Sequence, residues 1–324
     1  MIVDSLENLP TGVDICAVIT TFRPDGDFGK RVARIQEQVG LVVVVDDGDD
    51  DQNMVRLNRW FKDARKVHVH HNSSNVGIAT SLNIGISIAK GKGYHWVLTL
   101  DDDSFIKSNF VENLINGLKC AWSNKPVGVI GMSWTERFGP VESKPVSENN
   151  IAFSEKRGLI TSGSLFSTAT YDAIGPFRDE FYMDQVDYDF CLRARAMGYA
   201  VIKLEEIGFE HSLGHREVLR FLGMSVVLES HDSFRVYYDF RNSTVLALEY
   251  LAKDPLYSVA VLIALTRKML KIVLFEQDKK NKLARMCSGL KDGLSRDLGK
   301  KIQPQQAPKN RRNGQIPKEC VEHR

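Results

Sequence analysis

Short apolar runs alternate with segments of helical hydrophobic spacing along most of the chain. The predicted strands are 15–20, 41–45, 66–70, 95–100, 127–132 and 199–204. The predicted helices are 28–38, 52–63, 78–90, 108–122 and one that begins in the acidic cluster near residue 184. The run at 41–45 has no polar alternation, which is typical of a parallel strand buried on both faces. This order predicts an α/β fold with an open, doubly wound, mostly parallel sheet.

Polar clusters follow three of the predicted strands. Thr20 to Arg23 end the first strand, Asp46 and Asp47 end the second, and Asp101 to Asp103 end the fourth. In a parallel sheet the carboxyl ends of the strands lie on one rim, where ligands bind. Aspartate also favours turns, which is an alternative explanation for any one cluster. For all three together, we expect a ligand site at that rim.

The cluster Asp101-Asp102-Asp103 indicates a metal site. Alternate residues at the end of a strand point to the same side, so Asp101 and Asp103 are predicted to share a face. Their charges repel unless a cation lies between them, and carboxylate oxygens suit Mg²⁺ or Mn²⁺. Magnesium is commonly held by one or two carboxylates together with substrate phosphates, which predicts a metal–diphosphate site. The alternative is a solvated acidic turn.

A second acidic cluster contains Asp184 and Asp187, three residues apart in the first turn of a predicted helix. One of them is a candidate general base for a substrate hydroxyl. The alternative is that these carboxylates only stabilise the helix dipole. His211 follows the strand at 199–204 and is a candidate third metal ligand, although a lone histidine is more often structural.

Composition narrows the class of protein. The 324 residues are 43% hydrophobic and 26% charged, as in globular proteins, and the formal net charge of +2 argues against a nucleic-acid partner. Five cysteines without a C-x-x-C pair indicate a reducing compartment. The start MIVDSLENLP does not resemble a signal peptide, and no apolar run reaches the length of a membrane span. A cytoplasmic location is therefore expected.

The charge is uneven along the chain, which suggests three segments. Residues from 251 onward contain 17 Lys and Arg against 7 Asp and Glu, while the first 250 contain 26 against 34. We expect a catalytic domain at 1–250, a basic amphipathic helical extension at 251–302 and a disordered tail at 303–324. The stretch 255–285 is typical of a peripheral contact with an anionic membrane on the inner face of the cell. The alternative is packing on the core or on a second subunit in a homo-oligomer.

Motifs in a fixed order carry a resemblance to a known family. They run from the Asp14 region to the Tyr250 region and are Thr20-Thr21-Phe22-Arg23-Pro24, Val45-Asp46-Asp47-Gly48, Asn75-x-Gly77-Ile78-Ala79, Asn83-x-Gly85, Leu100-Asp101-Asp102-Asp103-Ser104, Thr161-Ser162-Gly163-Ser164, Asp184-x-Val186-Asp187, His211-x-x-Gly214 and Tyr237-Tyr238-x-x-Arg241-Asn242. The chain resembles family 2 glycosyltransferases with the GT-A fold. Within that family it is similar to rhamnosyltransferases of bacterial surface-polysaccharide synthesis, such as those that make O-antigen.

The resemblance implies an inverting, metal-dependent transfer of a sugar, with dTDP-rhamnose as donor and a hydroxyl of a glycan or lipid-linked saccharide as acceptor. It implies that Asp101, Asp103 and His211 hold Mg²⁺ or Mn²⁺, that Asp187 is the catalytic base and that Asp184 orients the acceptor. Asp46 would contact the nucleotide base. The other implied substrate-binding residues are Thr20, Arg23, Asp47, Asn75, Gly77, Asn83, Asp102, Ser164, Arg241 and Asn242.

Two other functions use the same kind of sheet. A sugar-nucleotide nucleotidyltransferase would need a Gly-rich, basic loop after the first strand, and residues 20–26 match such a loop poorly. A non-catalytic sugar-nucleotide-binding scaffold of a polysaccharide assembly complex would need no base beside a metal. The acidic residues at both candidate positions therefore favour the glycosyltransferase.

Overall fold

The computed structural model describes residues 9–48, 50–122, 125–136, 151–211, 216–221, 224–229 and 232–302. The strands are β1 Ile15–Thr21, β2 Leu41–Asp46, β3 Val67–His71, β4 Trp96–Asp101, β5 Phe105–Ile106, β6 Val127–Glu136, β7 Phe153–Glu155, β8 Ser164–Ser167, β9 Ala200–His211, β10 Arg216–Phe221 and β11 Met224–Glu229. The helices are α1 Phe28–Gln36, α2 Asp51–Phe61, α3 Ile78–Gly91, α4 Phe110–Ala121, α5 Thr168–Ile174, α6 Val186–Ala196, α7 Ser233–Tyr250, α8 Pro255–Phe275 and α9 Lys279–Ser295.

The main sheet has the strand order β3-β2-β1-β4-β8-β6-β9-β5, and β7 pairs with β9. Its first half, β3-β2-β1-β4, is entirely parallel, as the apolar runs predict. Strand β8 is antiparallel to both β4 and β6, so it separates the parallel half from a mixed half. The predicted α/β class is confirmed, but the sequence pattern did not indicate the short strands β5, β7 and β8.

The parallel half is buried on both faces. Every residue of β1 is buried, and two hydrophobic clusters cover the opposite faces of β1, β2 and β4. Helix α3 lies close to the sheet at Gly85, where an added Cβ would be 2.3 Å from the Val18 side chain. The close packing expected of a glycine inside a helix is therefore present.

Strand register brings the polar clusters together. Thr20 on β1 pairs with Asp101 on β4, and Thr21 pairs with Asp46 on β2. All three clusters therefore lie on the rim formed by the carboxyl ends of the strands, where the sequence predicted them.

The C-terminal helices pack on α7 instead of extending away from the domain. Val236 and Phe240 of α7 share a buried cluster with Leu265 and Ile272 of α8 and Met286 of α9. Helix α9 approaches α7 closely because it presents glycines there: an added Cβ at Gly289 would be 2.4 Å from the Tyr237 carbonyl oxygen, and one at Gly293 would be 2.7 Å from that of Arg241. This cluster joins the predicted extension at 251–302 to the last helix of the predicted catalytic domain.

The outer face of α8 is apolar and exposed. Its side chains there are 41–73% exposed and are Leu256, Val259, Leu262, Ile263, Leu270, Val273 and Leu274. Among the described residues no helix is long and apolar enough to cross a membrane. The predicted tail at 303–324 and Gly214 lie outside the described residues.

Candidate active site at the rim of the sheet

Three predicted metal ligands meet at the end of β4. Asp101 ends that strand, Asp103 follows it, and His211 ends β9. One ligand atom from each lies within 4.8 Å of the other two. The Nδ1 atom of His211 is 2.9 Å from Oδ1 of Asp103, yet both buried atoms lack a hydrogen-bond partner among the described residues. Buried polar atoms that face one another in this way fit a bound cation, and two carboxylates with an imidazole suit Mg²⁺ or Mn²⁺.

Electrostatics also favour a cation at this position. Burial raises the pKa of Asp101 to about 6; the nearby His211 lowers it, and Asp103 raises it again. Burial lowers the pKa of His211, but the adjacent Asp103 and the negative charge of Asp101 outweigh this effect, so the pKa is raised overall. A divalent cation would relieve the repulsion between the two carboxylates.

Asp102 points to the opposite side of the strand end, as the alternation of side chains requires. Its Oδ2 accepts hydrogen bonds from the Thr21 hydroxyl (2.7 Å) and the Phe22 backbone N–H (3.2 Å). Its carbonyl oxygen accepts from Nε of the buried Arg31 at 2.6 Å. Asp102 thus joins β4 to the loop after β1.

Asp187 lies in the first turn of α6 and on the same side of the molecule as Asp101. Its Oδ1 accepts a hydrogen bond from the Tyr188 backbone N–H at 2.8 Å. Burial raises the pKa of Asp187 to about 7, and the negative charges of Asp184 and Asp101 act in the same direction. A carboxyl group with this pKa is poised to accept a proton near neutral pH.

Asp184 is held by a residue that the sequence analysis missed. Arg235, in the first turn of α7, donates from its Nη2 to Oδ1 of Asp184 at 2.8 Å. The charge of Asp184 raises the pKa of Arg235, and Asp101 contributes to that shift. The Arg235 side chain is 45% exposed and places a permanent positive charge within electrostatic reach of both acidic clusters. The acidic clusters themselves were the only signal that a cation would be needed here.

The nucleotide-side residues Asp46 and Asp47 are largely buried. Asp46 is 3% exposed, and its carboxylate accepts from the Gly48 backbone N–H (3.1 Å) and lies 3.0 Å from Nδ1 of His71. Asp47 accepts hydrogen bonds from the backbone N–H groups of Val76 (2.7 Å) and Gly77 (2.8 Å). Asp47 therefore organises the loop before α3, a contact within the protein instead of the predicted one with substrate.

Two predicted site residues, Asn75 and Gly77, also fix the loop before α3. Gly77 has φ +91°, and an added Cβ would be 2.4 Å from the Tyr182 ring. The Tyr182 hydroxyl donates to Asn75, so the loop before α3 packs against the loop before α6. Asn83, a predicted substrate-binding residue, bonds to the backbone of Phe177 and the side chain of Asp179.

Arg241 and Asn242 require a correction. The resemblance implied direct contact with substrate, but both side chains are completely buried (0% exposed) in α7. Nδ2 of Asn242 donates to the carbonyl oxygens of Phe181, Met183 and Asp184 at 3.0, 2.7 and 2.9 Å. Arg241 donates to the carbonyls of Glu180 and Phe181. Both residues position the loop that carries Asp184, because a buried donor must be satisfied and this loop supplies the acceptors.

The loop needs such support because its backbone is strained. Tyr182, Asp184 and Gln185 have φ values of +64°, +56° and +62°, a region that side chains other than glycine rarely adopt. Strain of this kind persists only where surrounding contacts enforce it, and it concentrates at functional sites.

The remaining predicted substrate-binding residues differ in how far their side chains are exposed. Thr20 is 8% exposed at the rim, and the exposed Arg23 places its guanidinium 4.8 Å from the centre of the Phe22 ring. Ser164 is buried on β8 and donates to the Ile160 carbonyl at 2.7 Å. Its neighbour Ser162 accepts from the Asp101 backbone N–H at 3.2 Å, so the loop that carries this motif supports the metal residues.

The chain is similar in sequence to known glycosyltransferases. A model of the family described as "Glycosyl transferase family 2" matches residues 16–174. The chain is 28% identical over 247 residues to "dTDP-rhamnosyl transferase RfbF" of Shigella flexneri, with 72% of this chain and 79% of that protein covered. It is 32% identical over 73 residues, 22% of this chain and 23% of the relative, to "Glycosyltransferase GlyG" of Streptococcus pneumoniae.

Solved structures share the fold. The S. aureus TarS 1–349 complex with UDP-GlcNAc has a TM-score of 0.55 at 14% identity and covers 87% of this chain and 80% of that one. The structure of GalNAc-T7 with UDP, GalNAc and Mn²⁺ has a TM-score of 0.55 at 12% identity, with 89% of this chain and 56% of that one covered. These likenesses confirm the predicted GT-A architecture.

Proposed function

Because the chain belongs to glycosyl transferase family 2, we propose that it transfers a sugar from a nucleotide diphosphate donor to a hydroxyl group of a glycan or lipid-linked acceptor, with inversion. The observation that carries the proposal is the meeting of Asp101, Asp103 and His211 at one point, with the candidate base Asp187 close enough to feel the charge of Asp101. The three candidate ligands suit a metal–diphosphate, and Asp187 suits removal of a proton from the acceptor hydroxyl.

The metal ligands, the base and the residues beside it would have separate roles in the transfer. Asp101, Asp103 and His211 would hold Mg²⁺ or Mn²⁺, which when bound supplies positive charge to the leaving diphosphate. Asp187 accepts the proton of the acceptor hydroxyl as that oxygen bonds to the anomeric carbon and the bond to the diphosphate oxygen breaks. One base and one displacement give inversion at that carbon, by the same logic as a single-displacement glycosidase. Arg235 and Asp184 position the loop beside the base.

The likeness to RfbF supports dTDP-rhamnose as the donor. The motif resemblance alone implies bacterial surface polysaccharide, including O-antigen, as the product. The test is to incubate the protein and Mn²⁺ or Mg²⁺ with a panel of nucleotide sugars and to identify the nucleotide released. We expect free dTDP from dTDP-rhamnose, and EDTA to stop its release. Pyrophosphate release from a nucleoside triphosphate and a sugar 1-phosphate, without release of a nucleoside diphosphate from the panel, would instead identify a nucleotidyltransferase. Donor binding without hydrolysis or transfer would identify a scaffold.

The apolar outer face of α8 supports a peripheral location on the inner face of the cell membrane. Basic side chains that are exposed or partly exposed accompany this face and are Arg267, Lys271, Lys279, Lys280 and Arg285. An apolar face with a basic border suits an anionic bilayer, where a lipid-linked acceptor would also lie.

Flotation with phosphatidylglycerol vesicles tests the membrane contact. The wild-type chain should bind at low salt and dissociate as salt is raised, because salt screens surface charge. Leu262→Glu should weaken binding, whereas Leu294→Glu on the exposed side of α9 serves as the matched control. A wild-type chain that stays unbound at low salt, or that forms a stable dimer through this face, would contradict the proposal.

A further inference from the structure

A cleft of about 700 Å³ lies between residues 155–157, the first turn of α6, the middle of α7 and the inner side of α8. Gln185 and Tyr188, which line it, flank Asp187 on α6. Asp239 also lines it and lies one helical turn after Arg235, the residue that binds Asp184. The cleft therefore begins beside the candidate base. Its volume is that of a small-molecule site.

Hydrogen bonds and an ion pair hold several polar side chains of the cleft in fixed positions. Asp239 forms an ion pair with Lys268 of α8 and accepts a hydrogen bond from Nε2 of Gln185 at 3.1 Å. The Ser243 hydroxyl donates to the same carboxylate at 3.3 Å. This network links the residue next to Asp184 with both α7 and α8, so a ligand in the cleft would contact groups whose geometry is coupled to the catalytic loop.

Tyr257 has an unsatisfied hydroxyl in the cleft. The side chain is 5% exposed, and its hydroxyl has no hydrogen-bond partner among the residues that the structure describes. Burial raises the pKa of Tyr257, and the negative charge of Asp187 acts in the same direction, so this hydroxyl lies within electrostatic reach of the candidate base. A buried hydroxyl without a partner is unfavourable, so its presence indicates a group that binds there.

The charges of the cleft indicate the chemical class of that group. Three of its four cationic side chains are paired with carboxylates: Lys268 with Asp239, Arg157 with Asp254 and Arg195 with Glu155. Among the described residues this leaves the single charge of Lys156, whereas a nucleoside diphosphate would need more unpaired positive charge. A neutral ligand with many hydroxyl groups would instead find paired donors and acceptors, two tyrosines and the small side chains of Ala260 and Ala264.

We propose that this cleft is the acceptor-saccharide subsite and that the Tyr257 hydroxyl binds a hydroxyl of the acceptor sugar. The assignment rests on the proposed glycosyl transfer. It gives α8 two neighbouring roles, since the saccharide would lie on the cleft side of the helix and the lipid of a lipid-linked acceptor on its apolar outer side.

The experiment uses octyl glycosides of rhamnose, glucose, N-acetylglucosamine and galactose as probes with the full-length chain. Saturation-transfer NMR measures their binding, and Ala264→Trp fills the cleft. We expect at least one glycoside to bind the wild-type chain and Ala264→Trp to weaken that binding about tenfold or more. Leu262→Trp on the exposed outer face of the same helix is the matched control and should bind as the wild type does.

Transfer kinetics give a second measurement. Tyr257→Phe removes only the hydroxyl, and we expect the KM for the acceptor to rise about fivefold to tenfold while the KM for the donor stays within about twofold. Equal glycoside binding by the wild type and Ala264→Trp, or no glycoside binding by the wild type, would overturn the subsite. Saccharide binding in the cleft without transfer from any donor would leave the subsite standing and overturn the proposed function.

Discussion

The two sides of the candidate site are built in different ways. On the donor side, Thr20, Asp46 and Asp101 are placed by the register of adjacent parallel strands. On the acceptor side, Asp184 and Asp187 belong to a strained loop and the helix after it, held by buried donors on α7. Strand register is held by backbone hydrogen bonds between adjacent strands, whereas the second arrangement depends on a few buried side-chain donors such as Asn242. The donor side should therefore tolerate single substitutions better than the acceptor side.

The largest expected effect comes from Asp187→Asn. Loss of a general base typically reduces the rate about 10²-fold to 10⁴-fold, and we expect kcat to fall within that range while donor binding is kept. Asp189→Asn, two residues on, is not a suitable control because Asp189 pairs with Arg193 in the core. Asp102→Asn, at the edge of the donor side, is the better comparison, and a kcat for Asp187→Asn near that of the wild type would refute the base assignment.

Asp187→Asn should also change stability in a pH-dependent way. The folded-state pKa of Asp187 is raised to about 7 by burial and by the charges of Asp184 and Asp101, well above the ordinary value of 3.8. Ionisation is thus easier in the unfolded state, so this residue costs the fold stability as pH rises from about 4 to about 7. Without metal, thermal melts should show Asp187→Asn more stable than the wild type at pH 8, with the difference vanishing near pH 4. A constant difference would contradict the raised pKa.

The next effect separates the two faces of the Asp101–Asp103 turn. Asp101→Asn removes a predicted ligand, and we expect the Mn²⁺ concentration for half-maximal activity to rise about tenfold to a hundredfold. Asp102→Asn weakens only the bonds to Thr21 and Phe22, so its metal requirement should stay near that of the wild type. Metal titration of activity checks both variants. An equal rise of the half-maximal Mn²⁺ concentration in both would show that Asp101 and Asp102 do not differ in metal binding, contrary to their positions in the structure.

A smaller effect is expected from the support of the acceptor-side loop. Asn242→Ala leaves the carbonyls of Phe181, Met183 and Asp184 without their shared donor, and it should cost about 2–4 kcal/mol of stability and slow transfer. Thr244→Val is the matched control on the same helix, because within the described part of the chain its hydroxyl donates to the Phe240 carbonyl of that helix. Denaturant unfolding and kcat measure the two consequences. Equal losses in both variants would mean that Asn242 has no special part in holding the loop.

The smallest effect is the pH dependence of the wild-type enzyme. Asp187 must be deprotonated to act as a base, so kcat should rise with pH through the pKa of Asp187 and then level off. A rate profile between pH 5 and pH 9 at saturating metal checks the direction. A rate that falls over this range would contradict the role of a carboxylate base.

The sequence could predict the donor side because its information is local. The buried runs at 15–20 and 41–45 set β1 and β2, and the polar residues that follow them could lie only at the rim. It could not predict that Arg241 and Asn242 are buried, because a polar pair in a helix has the same pattern whether it binds a loop or a ligand. Arg235 and Tyr257 were missed for the same reason: their roles arise from α7 and α8 packing beside α6. The antiparallel β8 was too short to show a period.

The most direct test of the account is anomalous diffraction from crystals grown with dTDP and Mn²⁺. The account predicts one strong manganese peak bound by Asp101, Asp103 and His211 and in contact with both phosphates, with the Asp187 carboxylate facing the same opening. A manganese peak held by other residues, or an Asp187 side chain that turns away from the opening when the nucleotide is bound, would contradict it.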